Sequence, residues 1–170
     1  MRLVLGVLKT IDRISEWSGR ISIWLIVPLT GLVVYEVISR RILDSPHIWA
    51  TEVITFIYAP YFMLVAAYTL KHKAHVGVDI LSSRFHPRTW GCVQILSYLI
   101  FFFPFCLVLL DQGLLFAKTS WAQGETSGSA ALPVVPWVKT VIPLTFLLLL
   151  IQGLGELIRG IVLFLRGREI

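Results

Sequence analysis

The stretch SPHIWATEVITFIYAP, Ser45–Pro60, opens a long apolar run with a tryptophan and a glutamate at its start. The run continues to Leu70, which is long enough for a helix that crosses a bilayer. A charged side chain at the centre of such a helix costs about 2.5–3.5 kcal/mol. Glu52 is therefore an active group, half of a structural pair, or a residue close enough to water for its charge to matter little.

The whole chain is apolar: 56% of its 170 residues are hydrophobic, 15% are charged, and the mean hydropathy is +0.80. A soluble domain of this length has too few charges to cover so much apolar surface, so lipid is the expected surrounding. Four runs are long enough to span a bilayer, at about 21–39, 48–70, 91–117 and 137–158. The sequence predicts a single membrane domain, residues 1–170, that contains these four spans.

Two amphipathic segments complete the predicted all-α fold. In the N-terminal segment, apolar residues share one helical face, which predicts a retained helix in the membrane interface: Leu3, Val4, Val7, Leu8, Ile11 and Ile14. The second segment is the short ILSSRF in the connection between the second and third spans. At the other end, Gly160 and a cluster of arginines predict that the last two helical turns slide along the membrane surface.

Lysine and arginine counts predict the orientation of the spans. Eleven of these residues lie in the N-terminal segment, the second connection and the C-terminal end, whereas Arg40, Arg41, Lys118 and Lys139 lie on the other side. Because basic residues collect on the cytoplasmic side, both termini are expected in the cytoplasm. The net charge of +5 is thus read as a topology signal, and no nucleic-acid partner is expected.

The acidic residues are expected near the ends of the spans. Glu36 and Glu52 lie on the side away from the termini, Asp111 comes late in the third span, and Glu156 closes the fourth beside Arg159. Arg40 follows Glu36 by four residues and can pair with it, and the short connection brings Glu52 near Arg40 or Arg41. Such a pair fixes the geometry of the two helices. An equal alternative is that all of these residues are ordinary residues at the membrane edge. Trp49, Trp121 and Trp137 are expected interfacial anchors.

The positions of the acidic residues, histidines and cysteines argue against several activities. A proton or ion pathway places ionisable groups near the midplane, and haem binding needs histidines within the spans, whereas all four histidines lie in connections. His72, His75 and Asp79 form only a loose set without a fourth ligand, so no metal is expected. Cys92 and Cys106 are fourteen residues apart on one helix, about 21 Å, too far for a disulfide. Neither a cofactor nor catalysis is expected.

Two local features leave alternatives open. Pro104 in FFFPF predicts a kink in the third span, which neighbouring helices absorb or which serves as a hinge. The third connection, WAQGETSGSAALPVVPW, is nearly uncharged and rich in small residues. It is a plain loop, a segment that folds over the bundle, or a surface that receives a partner.

Several motifs in order resemble the small membrane subunit, DctQ-like, of tripartite ATP-independent periplasmic (TRAP) transporters. They are the arginine-rich end of the first span, IWATEVITF with its W-x-x-E, YTLKHKAHVGVDILSSRF, and GETSGSAALPVVPWVKTVIPL. Together with the four spans they cover roughly residues 13–166. Each motif alone is weak, but their order and spacing are specific.

The resemblance implies a non-catalytic scaffold in the bacterial inner membrane. In this family a periplasmic binding protein delivers an organic acid, such as a C4-dicarboxylate, to a large membrane subunit that moves it with an ion gradient, usually sodium. By motif position, the implied structural or partner-interface residues are Arg40, Trp49, Glu52, His75, Val76, Asp79, Pro136 and Trp137. The same reading expects Asp79 to cap ILSSRF.

Two other functions remain possible from the residues alone. A self-sufficient four-helix, proton-coupled exporter would need an acidic residue deep in a span, and Glu36 is its candidate in the first helix. The other is an assembly factor for a different membrane complex. The edge position of Glu36 and the long second and third connections argue against the exporter.

Overall fold

The computed structural model describes residues 2–72 and 86–167, and within these ranges the regular elements are helices. We label them α1 (Arg2–Trp24), α2 (Ile26–Arg41), α3 (Ile48–Lys71), α4 (Pro87–Ser97), α5 (Phe103–Gln123) and α6 (Val135–Arg166), with a π-helical turn, Tyr98–Phe102, between α4 and α5. His75, Val76, Asp79 and ILSSRF lie outside the described residues, so their predicted roles stay predictions.

Four helical segments are long and apolar enough to cross a membrane, as predicted: Leu5–Arg41, Ile48–Lys71, Pro87–Gln123 and Val135–Arg166. Most large apolar side chains face outward, whereas the fully buried side chains are small or polar: Gln152, Cys106, Ser15, Ser22, Ser39 and Ser120. Helices in lipid pack through small and polar residues in this way, because lipid solvates the apolar faces. The chain is a helical membrane protein.

The first span is nearly continuous with the amphipathic N-terminal helix, since Leu25 alone separates α1 from α2. Pro28 has no N–H to donate to the carbonyl of Trp24, and its ring crowds that carbonyl, which explains the interruption. Leu25 instead closes a tighter turn by donating to the Ser22 carbonyl at 3.0 Å. Leu8 and Ile11 on the predicted apolar face are buried, and α1 packs against both α3 and α6.

The predicted irregularity in the third span lies just before Pro104. The π-helical turn Tyr98–Phe102 ends with the N–H of Phe103 donating to the carbonyl of Tyr98, five residues earlier. Proline cannot complete the ordinary hydrogen-bond ladder, and the wider turn accommodates that loss.

Helix α6 is the centre of the bundle, because α1, α3, α4 and α5 all pack against it. It runs unbroken from Val135 to Arg166, and the placement of its last two turns along the membrane surface stays a prediction. Close approach depends on glycine: a Cβ on Gly91 of α4 would lie 2.7 Å from the backbone nitrogen of Phe164. Among the described elements, helix α2 packs mainly against α3 and α1.

Candidate functional site

Among the described residues, most charged side chains that make ion pairs lie at the two ends of the bundle. We call the end that carries the connections 42–47 and 124–134 the loop end, and the end that carries the start of α1 and the end of α6 the terminal end. The polar contacts at each end join elements that are distant in sequence, so both ends are candidates for structural or partner-binding sites.

Glu52 is the organising residue of the loop end. Its Oε1 accepts from the backbone N–H of Ser129 at 3.0 Å and of Ala130 at 3.3 Å, and its Oε2 accepts from the Ser127 hydroxyl. The expected pairing of Glu52 with Arg40 or Arg41 is wrong: among the described side chains neither arginine forms an ion pair with Glu52. The third connection supplies donors to Glu52 that a pairing argument limited to the neighbouring turn overlooks.

The third connection thus folds over the bundle, one of its three predicted alternatives. Two hydrogen bonds between Ser127 and Leu132 close the connection into a loop. The Ser127 N–H donates to the Leu132 carbonyl at 3.0 Å, and the Leu132 N–H donates to the Ser127 hydroxyl at 2.9 Å. Ala131 has a φ of +55°, a conformation that costs energy for a residue with a Cβ. The surrounding hydrogen bonds hold that strained turn in place.

The start of the same connection is tied to α5 and α6. Gly124 ends α5 in the left-handed conformation with a φ of +57°, and the Glu125 N–H then donates to the Ser120 carbonyl at 3.2 Å. Hydrogen bonds from Lys139 and from the Ser120 hydroxyl hold the pKa of Glu125 below its usual value. The Lys139 ammonium also lies 4.0 Å above the Phe116 ring.

Glu36 is buried and paired as the sequence predicts. Arg40 Nη2 donates to Glu36 Oε1 at 3.0 Å. The backbone N–H of His47 donates to the same oxygen at 3.4 Å, and His47 Nδ1 lies 3.7 Å from Glu36 Oε2. Glu36 therefore joins α2 to the start of α3. Arg41 is exposed.

Aromatic rings border the loop end, including the three predicted anchors. Trp49 is 42% exposed and lies 6.3 Å from the Tyr35 ring. Trp121 and Trp137 meet edge to face at 4.9 Å, and Trp121 Nε1 donates to the Thr140 hydroxyl at 2.9 Å. Partly exposed tryptophans, Trp121 with a polar partner, suit the region where headgroups meet hydrocarbon.

Pro136 lies in the first turn of α6, where the missing N–H of proline is harmless. Its side chain is buried, and its carbonyl accepts from the Thr140 hydroxyl at 2.7 Å. The residue therefore supports Thr140, which in turn binds Trp121.

The terminal end contains a network that sequence reasoning identified only in part. Glu156 pairs with Arg159 as predicted, and Arg159 Nη2 also makes two hydrogen bonds to the Asp12 carboxylate, at 2.7 and 2.6 Å. The fully buried Gln152 accepts from the Ser15 hydroxyl at 2.7 Å and donates to Glu156 Oε1 at 3.3 Å. These bonds join α1 to α6.

A second pairing at the terminal end joins α1 to α3. Glu16 accepts from Lys71, from His72 at 3.2 Å and from Arg20 at 3.2 Å. The missed signal is the spacing of Asp12, Glu16 and Arg20 at intervals of four on one helical face. Such a face is ordinarily solvated, and the sequence alone does not indicate that it meets partners 55 to 147 residues away.

Asp111 lies in a different environment from these paired residues. The sequence interpretation ended the third span at Ala117, but α5 continues to Gln123, so Asp111 is farther from the helix end than expected. Asp111 is ten residues from Trp121, an expected interfacial anchor, which is about 15 Å along the helix axis. This distance is about half the thickness of a 30 Å hydrocarbon layer. The side chain is exposed, and among the described residues its hydrogen-bond donor is its neighbour Gln112, at 3.1 Å.

The fold and the two paired ends define a four-span membrane protein in which most of the described acidic side chains bind partners within the chain. The family profile of the "Tripartite ATP-independent periplasmic transporters, DctQ component" matches residues 29–163. The chain therefore belongs to this family, and it is a small permease subunit of the TRAP transporter class, as the motifs predicted.

One curated relative covers part of the chain. It is the "Sialic acid TRAP transporter permease protein SiaT" of Haemophilus influenzae (strain 86-028NP), 26% identical over 76 residues. The match spans 45% of this chain but only 12% of the relative, so this chain matches a small part of a much longer protein. No solved structure matches the chain.

Proposed function

We propose that the chain is a non-catalytic scaffold for the large membrane subunit of a TRAP transporter in the bacterial inner membrane. The complex takes up an organic acid that a periplasmic binding protein delivers, and an ion gradient, most simply sodium, drives the uptake. Both termini lie in the cytoplasm, so the loop end faces the periplasm and the binding protein. The large subunit holds the substrate and ion sites.

The pairing of acidic side chains with intrachain donors supports a scaffold role. Glu36, Glu52 and Glu125 are bound at the loop end, and Asp12, Glu16 and Glu156 at the terminal end. A carboxylate that carries protons or substrate must be free to change partners during a cycle. Carboxylates held by two or three donors instead stabilise one arrangement of helices.

The substrate is an organic acid, with C4-dicarboxylates as the first class to test. The name of the curated relative adds sialic acid as a second class. Both are anions, and both would be recognised by the partners rather than by this chain.

A pull-down tests the scaffold role. The tagged chain, expressed with its genomic neighbours, is extracted in mild detergent and its partners are identified by mass spectrometry. Recovery of a much larger multi-span protein in a fixed ratio is expected. Recovery of the chain alone, or only of copies of itself, would contradict the proposal and favour the small exporter.

A further inference from the structure

Helix α5 has one covered face and one open face. It packs chiefly against α6, through the buried residues Cys106, Gly113, Ala117 and Ser120. The opposite side is exposed along the helix, and we call it the α5 open face; its exposed members include Phe105, Val108, Asp111, Gln112, Leu115 and Lys118.

The α5 open face is not uniformly apolar. Asp111 and Gln112 are both exposed at about 15 Å from Trp121, within the depth of the hydrocarbon layer. Their one described hydrogen bond to a side chain is to each other. Hydrocarbon offers no partner for the remaining lone pairs of the carboxylate, so lipid is a poor surrounding for this face.

A groove continues this face toward α4. It has a volume of about 490 Å³ and is lined by Ser97, Tyr98, Phe101, Phe102 and Phe105. The π-helical turn supplies three of these five lining residues, and such turns are frequent at functional sites. Phe101 and Phe105 are 72% and 62% exposed, so two aromatic rings of the groove are largely uncovered.

We propose that the α5 open face is the docking surface for a transmembrane helix of the large subunit, an inference that rests on the proposed function. The helix that docks here presents a cationic or strongly donating side chain, an arginine or lysine first, to Asp111 and Gln112. A bulky apolar side chain of the same helix fills the aromatic groove.

A second copy of this chain is a worse occupant of the same face. Two copies inserted in the same orientation place their Asp111 side chains at the same depth. A two-fold contact through this face would therefore bring two carboxylates together in a low-dielectric surrounding. A partner with the opposite charge avoids that repulsion.

Asp111→Leu tests the charge of the docking surface in the intact complex. Lipid exposure predicts that this substitution is neutral or favourable, whereas docking predicts at least about a tenfold loss of the large subunit in the pull-down. Thr55→Leu is the matched control, since Thr55 is an exposed polar residue of α3 that donates only to its own helix, to the Thr51 carbonyl at 3.0 Å. It should leave recovery unchanged.

A photo-crosslinking amino acid in place of Val108, with the rest of the chain unchanged, gives a second readout. This readout does not depend on a variant that destabilises the chain. An adduct with the large subunit is expected. Adducts only with lipid or with a second copy, or full recovery of the large subunit by Asp111→Leu, overturn this inference while the proposed function stands. Failure of the unsubstituted chain to recover the large subunit overturns the proposed function itself.

Discussion

At the scale of single residues, Glu52 shows how one carboxylate orders a connection more than seventy residues away. It accepts two backbone N–H groups and one hydroxyl from the segment Ser127–Ala130. Because the acceptor is ionised, these bonds are stronger than neutral ones. Glu52 therefore holds the third connection against the start of α3, and its position at the end of a span keeps the cost of its charge well below the midplane value.

Glu52→Ala should release the third connection. Ser127 is buried, and leaving its hydroxyl without this acceptor costs about 1–3 kcal/mol, so the thermal midpoint in mild detergent should fall. Limited proteolysis should cut within 124–134 much faster than in the unsubstituted chain. Thr51→Ala, at the exposed neighbouring position, is the control and should change neither readout.

The same geometry decides against a pairing of Glu52 with Arg40. Exchanging the two charges in one double variant should not restore stability beyond the worse single variant, because Arg40 binds Glu36 instead. Rescue by the double exchange, measured by the same thermal midpoint, would show that the hydrogen bonds from the connection are secondary.

Arg159 is the corresponding residue at the terminal end. Arg159→Gln removes the cation between Asp12 and Glu156 and leaves both carboxylates close together with fewer donors. Because the Arg159 side chain is 24% exposed, we expect a loss of about 3 kcal/mol, the lower part of the range for broken buried pairs. Arg13→Gln, on the exposed side of α1, should leave the thermal midpoint unchanged; an equal loss would mean that the effect is one of net charge.

At the scale of elements, the crossing of α4 with α6 depends on Gly91. Gly91→Val places a branched side chain where even a Cβ lies 2.7 Å from the Phe164 backbone, so the helices must separate. Overpacking of this kind costs about 1–3 kcal/mol, and the thermal midpoint should fall accordingly. Gly31→Val is the control, since nothing lies within 4 Å of a Cβ there. Similar losses for both variants would point to β-branching in a helix rather than to the crossing.

The elements themselves follow from the sequence because the signal is long and simple. Runs of about twenty apolar residues locate the four spans, and Pro104 marks the irregular turn. The lengths are less predictable, because α5 and α6 continue past the apolar runs to Gln123 and Arg166. Polar residues such as Lys118 and Thr119 do not end a helix whose backbone groups are already hydrogen-bonded. The helix ends instead at Gly124.

The candidate site was predictable only where its partners are close in sequence. Glu36 with Arg40 and Glu156 with Arg159 follow from helical spacing alone. Glu52 with Ser127 and Asp12 with Arg159 depend on how the helices pack, and a single sequence does not indicate which polar groups meet across a bundle. The wrong pairing of Glu52 arose from preferring the nearer cation to distant backbone donors.

At the scale of the whole molecule, the chain is a bundle closed at both ends by its own charges. The loop end is held by Glu36, Glu52 and Glu125, and the terminal end by Asp12, Glu16 and Arg159. A subunit built in this way offers its partner a stable shape. We propose that the chain assembles a transporter and does not itself move substrate.

Uptake into proteoliposomes tests that claim most directly. Vesicles containing this chain alone, this chain with the large subunit, or neither are given an inward sodium gradient, the binding protein, and radiolabelled C4-dicarboxylate or sialic acid. We expect uptake only when the large subunit is present together with this chain. Uptake by this chain alone, abolished by Glu36→Gln, would contradict it.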